Sequence, residues 1–208
     1  MKLVVQPSKI VCIGRNYADH AKELGNEVPK EPLIFLKPPS ALLPPGGTIV
    51  LPPISAQVEY EGEIGVVIGK RAQRVAEADA ESFIAGYTCV NDVTCRDLQK
   101  TDGQWTRAKG FDTFCPVGPQ VASLDWRTLS VTTRVNGTQR QHAPSSDMIF
   151  SIPRLVAHVS AIMTLEPGDL IATGTPAGVG RLQPGDVVEV EIPGIGILSN
   201  HVAAQELS

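Results

Sequence analysis

Glycine and proline punctuate this chain so often that few segments can run long. The 208 residues include 19 glycines and 17 prolines, a composition that favours many short elements joined by tight turns. Only one stretch keeps helical spacing over several turns: Ile152, Leu155, Val156, Val159, Ile162 and Met163, with Ser151 placed to cap it and Pro153 in its first turn. Weaker helical patterns span Arg15–Leu24, with Gly25 at the expected C-terminus, and Val75–Ile84, closing at Gly86. Strands are expected at Lys9–Ile13, Thr48–Leu51, Glu61–Ile68, Tyr87–Val93, Asp169–Thr173, Val187–Ile192 and Ile195–Val202. Val131–Val135 and Thr138–Gln141 flank Asn136-Gly137, a two-residue hairpin signal. Strands and helices do not alternate as βαβ units, so the fold class expected is α+β, mixed and strand-rich. The proline-rich segment from Pro29 to Pro53, with Ile34-Phe35-Leu36 inside it, is expected to be irregular.

Bulk properties exclude several function classes. Hydrophobic residues make up 42% and charged residues 19%, which is ordinary for a packed globular chain. A net charge of −4 gives no electrostatic reason to bind nucleic acid or an anionic membrane. No apolar run approaches a membrane span, and the first residues lack the core of a signal peptide, so a cytoplasmic location is expected. Cys12, Cys89, Cys95 and Cys115 form no C-x-x-C pair, which argues against a zinc knuckle or redox motif.

Chemistry concentrates in three places. Glu61 and Glu63 stand two apart at the start of a strand, so both carboxylates leave on one face. Asp92 closes the apolar run that begins at Tyr87, and an acid at the end of a buried strand needs a partner. If the three meet, the donor set is all oxygen and suits magnesium or manganese rather than zinc. The competing reading makes Glu59, Glu61 and Glu63 the solvated side of an edge strand. His20 and Glu23 are three apart on a helical pattern and share a face. They are either a carboxylate-oriented general base or a surface contact. Lys109, between Trp105 and Phe111, is either a surface lysine or a cation for a substrate carboxylate or enolate. The glycine-rich stretch Thr173–Gly180 matches no nucleotide-binding fingerprint. It reads as a plain turn or as an anion-holding loop.

Six segments, in order, resemble the fumarylacetoacetate hydrolase family, specifically its short members. They are Ile13-Gly14-Arg15-Asn16-Tyr17-Ala18-Asp19-His20, Phe35-Leu36-Lys37-Pro38, Tyr60 to Gly69 around Glu61-Gly62-Glu63, Gly86 to Gln99 around Asn91-Asp92, Ala108-Lys109-Gly110-Phe111-Asp112, and Thr173 to Gly180. The resemblance implies a mixed β-roll of that family's C-terminal-domain type with a few flanking helices. It also implies one catalytic domain over residues 1–208, in which about 1–50 carry a strand, a lid helix and the proline-rich segment, and a homodimer. It further implies Glu61, Glu63 and Asp92 as ligands to magnesium or manganese, and Lys109, His20 and Glu23 as catalytic groups. Arg15, Lys37, Gln99 and Thr175 are implied around a small 2-oxo acid substrate. The activity implied first is hydrolysis of a C–C bond in acylpyruvates through a pyruvate enolate, with His20 and Glu23 activating water. Oxaloacetate decarboxylation and isomerisation or decarboxylation of 2-hydroxy-dienedioates are the alternatives. A metal-stabilised binding module is the non-enzymatic one.

Overall fold

The computed structural model describes residues 5–23, 25 and 27–206. In chain order the strands are β1 (Ile10–Gly14), β2 (Leu33–Lys37), β3 (Leu42–Leu43), β4 (Thr48–Leu51), β5 (Val58–Tyr60), β6 (Gly62–Ile68), β7 (Ile84–Asn91), β8 (Thr94–Cys95), β9 (Cys115–Ala122), β10 (Ser130–Val135), β11 (Thr138–Pro144), β12 (Leu170–Ala172), β13 (Gly180–Arg181), β14 (Val187–Ile192) and β15 (Gly196–Ala204). The helices are α1 (Ala18–Glu23), α2 (Arg96–Thr101), α3 (Thr106–Lys109) and α4 (Ile152–Ile162).

A seven-stranded sheet runs β2-β1-β12-β6-β7-β9-β3, a five-stranded sheet runs β11-β10-β14-β15-β4, and β13-β5-β8 form a third. Alternation along each strand divides the core in two. Ile64, Val66 and Ile68 of β6 and Val11 and Ile13 of β1 pack against α4 and against Val131, Val190 and Leu198 of the second sheet. Val67 of β6 and Ile10 and Cys12 of β1 face the opposite way, with Val90, Cys115, Val117 and Leu170. Because the side-chain period is two, Glu63 leaves β6 on this second face, at its end.

The seven-stranded sheet curls. Lys37 on β2 lies four strands from β7, roughly 19 Å in a flat sheet at the usual strand spacing, yet its Nζ is 2.6 Å from Asp92. The ends that carry chemistry therefore converge. Gly62 pairs with Asn91 across antiparallel β6 and β7, which sets Glu61 and Asp92 side by side, and the Asp92 N–H donates to the Glu61 carbonyl at 2.8 Å.

Most expected elements are present with shifted ends. The Arg15–Leu24 pattern contracts to α1, and Leu24 lies outside the described residues. Asn136 and Gly137 both have positive φ, as a two-residue hairpin requires. Ser151 caps α4 through the Arg154 N–H. Two expectations are corrected. Residues Glu77–Phe83 form tight 3₁₀ turns in place of an α-helix, and Ile84 already belongs to β7. Only Ala80 of that segment is buried, so no apolar stripe holds a 3.6-residue period. The proline-rich segment is not irregular throughout, because it supplies β2, β3 and β4. Its prolines sit between the strands or at the sheet edge, where a missing N–H costs nothing.

Candidate active site

β6 is a central strand, with β7 along its length and β12 beside Gly65–Val67, and its first residue is met on the other side by Gln141 and Thr175. Glu59, Glu61, Glu63 and Asp92 are all buried, which rejects the solvated edge strand. Ligand atoms from Glu61, Glu63 and Asp92 lie within 4.8 Å of one another.

Buried charge needs neutralising, and three cations partly do this. Lys109 Nζ stands 2.7 Å from both Glu61 and Asp92. Arg96, at the start of α2, bridges Glu59 at 2.7 Å and Glu61 at 2.6 Å. Lys37 holds the other Asp92 oxygen and the Val93 carbonyl. Burial would raise Glu61, but Lys109 and Arg96 outweigh it and hold the group well below the usual carboxylate range. Burial likewise disfavours charged Lys109, yet Asp92 and Glu61 lift it above an ordinary lysine, so it stays cationic.

Glu63 is different. Its Oε2 accepts from the Gly174 N–H at 2.8 Å, but among the described residues it has no ion-pair partner. Burial, with Asp92 and Glu61 adding like charge, pushes it well above the usual range. An all-oxygen trio with one uncompensated member fits a hard divalent cation, and Glu61, Glu63 and Asp92 could hold it.

These carboxylates open onto a cavity of about 240 Å³, also lined by Arg15, His20, Phe35, Gln99, Trp105 and Thr175. This is below the range for drug-sized ligands, so the volume suits a small one. Phe35 and Trp105 meet edge to face at 5.2 Å, and Lys109 Nζ lies 4.9 Å from the Phe35 ring centre. Arg15 adopts φ 62° at the exit of β1, a left-handed conformation that arginine rarely takes and that turns the chain toward the cavity.

His20 is buried on α1, and its Nδ1 lies 3.2 Å from Glu23. Glu23 does not line the cavity; it sits behind the imidazole and accepts from the Gly178 N–H. The glycine-rich loop therefore does hold anions, and they are the protein's own: Gly174 holds Glu63 and Gly178 holds Glu23. Buried Asn16 ties the entry of α1 to this loop through the Thr173 carbonyl.

Eight of the ten residues singled out from sequence line the cavity. Lys37 and Glu23 stand behind it, touching Asp92 and His20 respectively. The Thr175 hydroxyl donates to the Gly62 carbonyl and accepts from Gln141, so its proton is already committed. Sequence reading missed Arg96, although buried acids at Glu59 and Glu61 require a cation nearby. It also missed Gln141, which carries no local signal. His142 and His201 are exposed and His158 half-buried, all away from the cavity. No helix among the described residues is long and apolar enough to cross a membrane.

Comparison with known proteins agrees with this geometry. The family model for the fumarylacetoacetate hydrolase C-terminal region matches residues 9–203. An uncharacterized protein of Methanocaldococcus jannaschii is 53% identical over 203 residues, covering 97% of this chain and 86% of that protein. The oxaloacetate tautomerase of Bacillus subtilis is 45% identical over 214 residues, covering 96% of this chain and 71% of that one. The crystal structure of 2-hydroxyhepta-2,4-diene-1,7-dioate isomerase from Mycobacterium marinum superposes with a TM-score of 0.91 at 48% identity, covering 98% of this chain and 77% of that one. Neither of the latter two is named as a C–C hydrolase. With the buried trio, the His20–Glu23 pair and the curled sheet in place, this chain belongs to the fumarylacetoacetate hydrolase family of enzymes.

Proposed function

We propose that this enzyme binds a divalent cation, magnesium or manganese, and interconverts the enol and keto forms of a small 2-oxo acid of the oxaloacetate class. One observation carries the proposal: His20, backed by Glu23, faces the same small cavity as the carboxylate trio and cationic Lys109. The tautomerase and isomerase names of the relatives support proton transfer over bond cleavage.

The bound cation supplies Lewis-acid stabilisation for charge on the 2-oxo oxygen. Lys109 adds a fixed positive charge in a buried wall, where it is worth more than in water. With Nδ1–H turned to Glu23, the His20 Nε2 lone pair faces the cavity; toward the enol it takes a proton from C3 and delivers it to the 2-oxo oxygen, and in ketonisation it takes the enol O–H proton and delivers it to C3. Arg15 and the Gln99 amide are placed for the substrate's carboxylate end; Gln99 Oε1 is fixed by Arg96 at 2.6 Å, which turns its NH₂ outward. Phe35 and Trp105 keep that wall dry.

The second reading, hydrolysis of acylpyruvates, uses the same His20 Nε2 to activate water. The imidazole–carboxylate pair serves this reading as well and disfavours only oxaloacetate decarboxylation, which needs no such base. The test is ketonisation of enol-oxaloacetate beside pyruvate release from acetylpyruvate, each with magnesium and with EDTA. EDTA-sensitive ketonisation that falls about 10²–10⁴-fold in His20→Ala, with magnesium affinity unchanged, is the expected result. Turnover of acetylpyruvate alone would overturn the tautomerase reading in favour of the hydrolase.

A further inference from the structure

Gly62 separates the two glutamates of the trio, and both of its backbone polar groups are held by side chains. Its N–H donates to Gln141 Oε1 at 3.0 Å. Its carbonyl accepts from the Thr175 hydroxyl at 2.9 Å. Gln141 Nε2 in turn donates to Thr175 Oγ1 at 2.8 Å. The three groups close a ring, from Gly62 N–H to Gln141, from Gln141 to Thr175, and from Thr175 back to the Gly62 carbonyl. Every donor in it is used once. The same Nε2 also donates to the Pro176 carbonyl at 2.8 Å, which binds the ring to the loop whose Gly174 and Gly178 hold Glu63 and Glu23.

Ordinary sheet pairing does not explain this arrangement. Gln141 comes from β11 in the other sheet, 79 positions from Gly62, and with Ala143 it takes the inward face of that strand while Arg140 and His142 face solvent. A long amide on a buried face has to be offset by hydrogen bonds, and here all of them go to the backbone between the glutamates and to the loop. The rotation of the Gly62 peptide planes fixes the separation and tilt of the Glu61 and Glu63 side chains that leave on either side of it.

We propose that Gln141 is a positioning residue for the metal centre: through the closed ring with Thr175 it holds the Gly62 backbone, and so sets the carboxylate spacing that grips the cation. This rests on reading the trio as metal ligands. Groups behind a metal's own ligands commonly change affinity 10–100-fold when lost, and members of one hydrogen-bonded ring do not act additively.

The experiment measures the magnesium dissociation constant by calorimetry, and exchange of the Gly62 amide in metal-free protein, for wild type, Gln141→Leu, Thr175→Val and the double variant. Each single variant is expected to weaken magnesium about 10–100-fold and to speed Gly62 exchange, with the double variant little weaker than either. A Gln141→Leu protein that melts lower but binds magnesium as wild type does would overturn the proposal. So would single effects that multiply in the double variant. If Gln141→Leu does not fold, Gln141→Glu keeps the acceptor for Gly62 and removes both donors; wild-type affinity there would refute the ring equally. Wild-type protein that binds no magnesium would instead overturn the metal reading, while Gly62 exchange would still report on the ring alone.

Discussion

Replacing Lys109 with methionine keeps an unbranched side chain of similar length and removes only the ammonium. That ammonium lies 2.7 Å from Glu61 and 2.7 Å from Asp92, all three buried. Removing one partner of a buried ion pair typically costs about 3–5 kcal/mol, because the other charge is left without water or counter-ion. Here Glu61 keeps Arg96 and Asp92 keeps Lys37, which places the loss near the lower end, about 3 kcal/mol. For a chain of this size that is roughly 6–12 °C in melting temperature. A divalent cation should recover part of it by mass action. The recovery should exceed the magnesium-induced shift of wild type, since the variant has lost a like charge beside the cation. Thermal melts of both proteins in EDTA and in millimolar magnesium provide the assay. A variant melting within about 2 °C of wild type in EDTA, or gaining less from magnesium than wild type does, would refute the account of Lys109 as a cation that compensates buried Glu61 and Asp92.

Two further outcomes follow from geometry. A Cβ on Gly62 would lie 1.9 Å from Thr133 Oγ1, so Gly62→Ala should lose soluble folded protein or melt far lower; the Thr133→Gly second substitution should restore part of the loss, and no rescue would count against the clash. Asp169 accepts from the Ser8 hydroxyl, the Ser8, Lys9 and Glu166 N–H groups and the Lys9 ammonium. Burial pushes its carboxyl up, but Lys9 and the amides outweigh this and hold it below 3.8. Its stabilisation is therefore full above that value and is lost as the pH falls through the lowered one. Asp169→Asn should cost about 2 kcal/mol at neutral pH, with the gap to wild type narrowing in acid denaturation below pH 3.8; a gap that stays constant would refute the assignment.

The carboxylate trio was legible because its signal is local. Two acids at a spacing of two and a third closing a buried strand need only strand periodicity and the cost of burying charge, and antiparallel pairing of β6 with β7 does the rest. The helix at Ile152 was equally plain, since its apolar stripe and Ser151 cap sit in one window. What could not be read locally depends on curvature and long-range pairing. Lys37 reaches Asp92 only because the sheet curls. Arg96 and Gln141 meet Glu61 and Gly62 across 35 and 79 positions. The 3₁₀ segment at Glu77 carried helix-forming residues without a buried face, so propensity misled where burial would have decided.

Glu23 has one more consequence. Glu63 lies in β6, and Glu61 and Asp92 adjoin β6 and β7 of a packed sheet, whereas His20 rides on a six-residue helix, too short to persist by itself. Two joints link these parts: the Glu23 carboxylate on the Gly178 amide and the Asn16 amide on the Thr173 carbonyl. Natural variation can therefore lengthen, reshape or retime the α1 segment without touching the acids. Such a division of labour lets one scaffold keep its electrophilic half constant while descendants exchange the proton-handling half. Relatives bearing different reaction names on nearly superimposable backbones are what that architecture would produce.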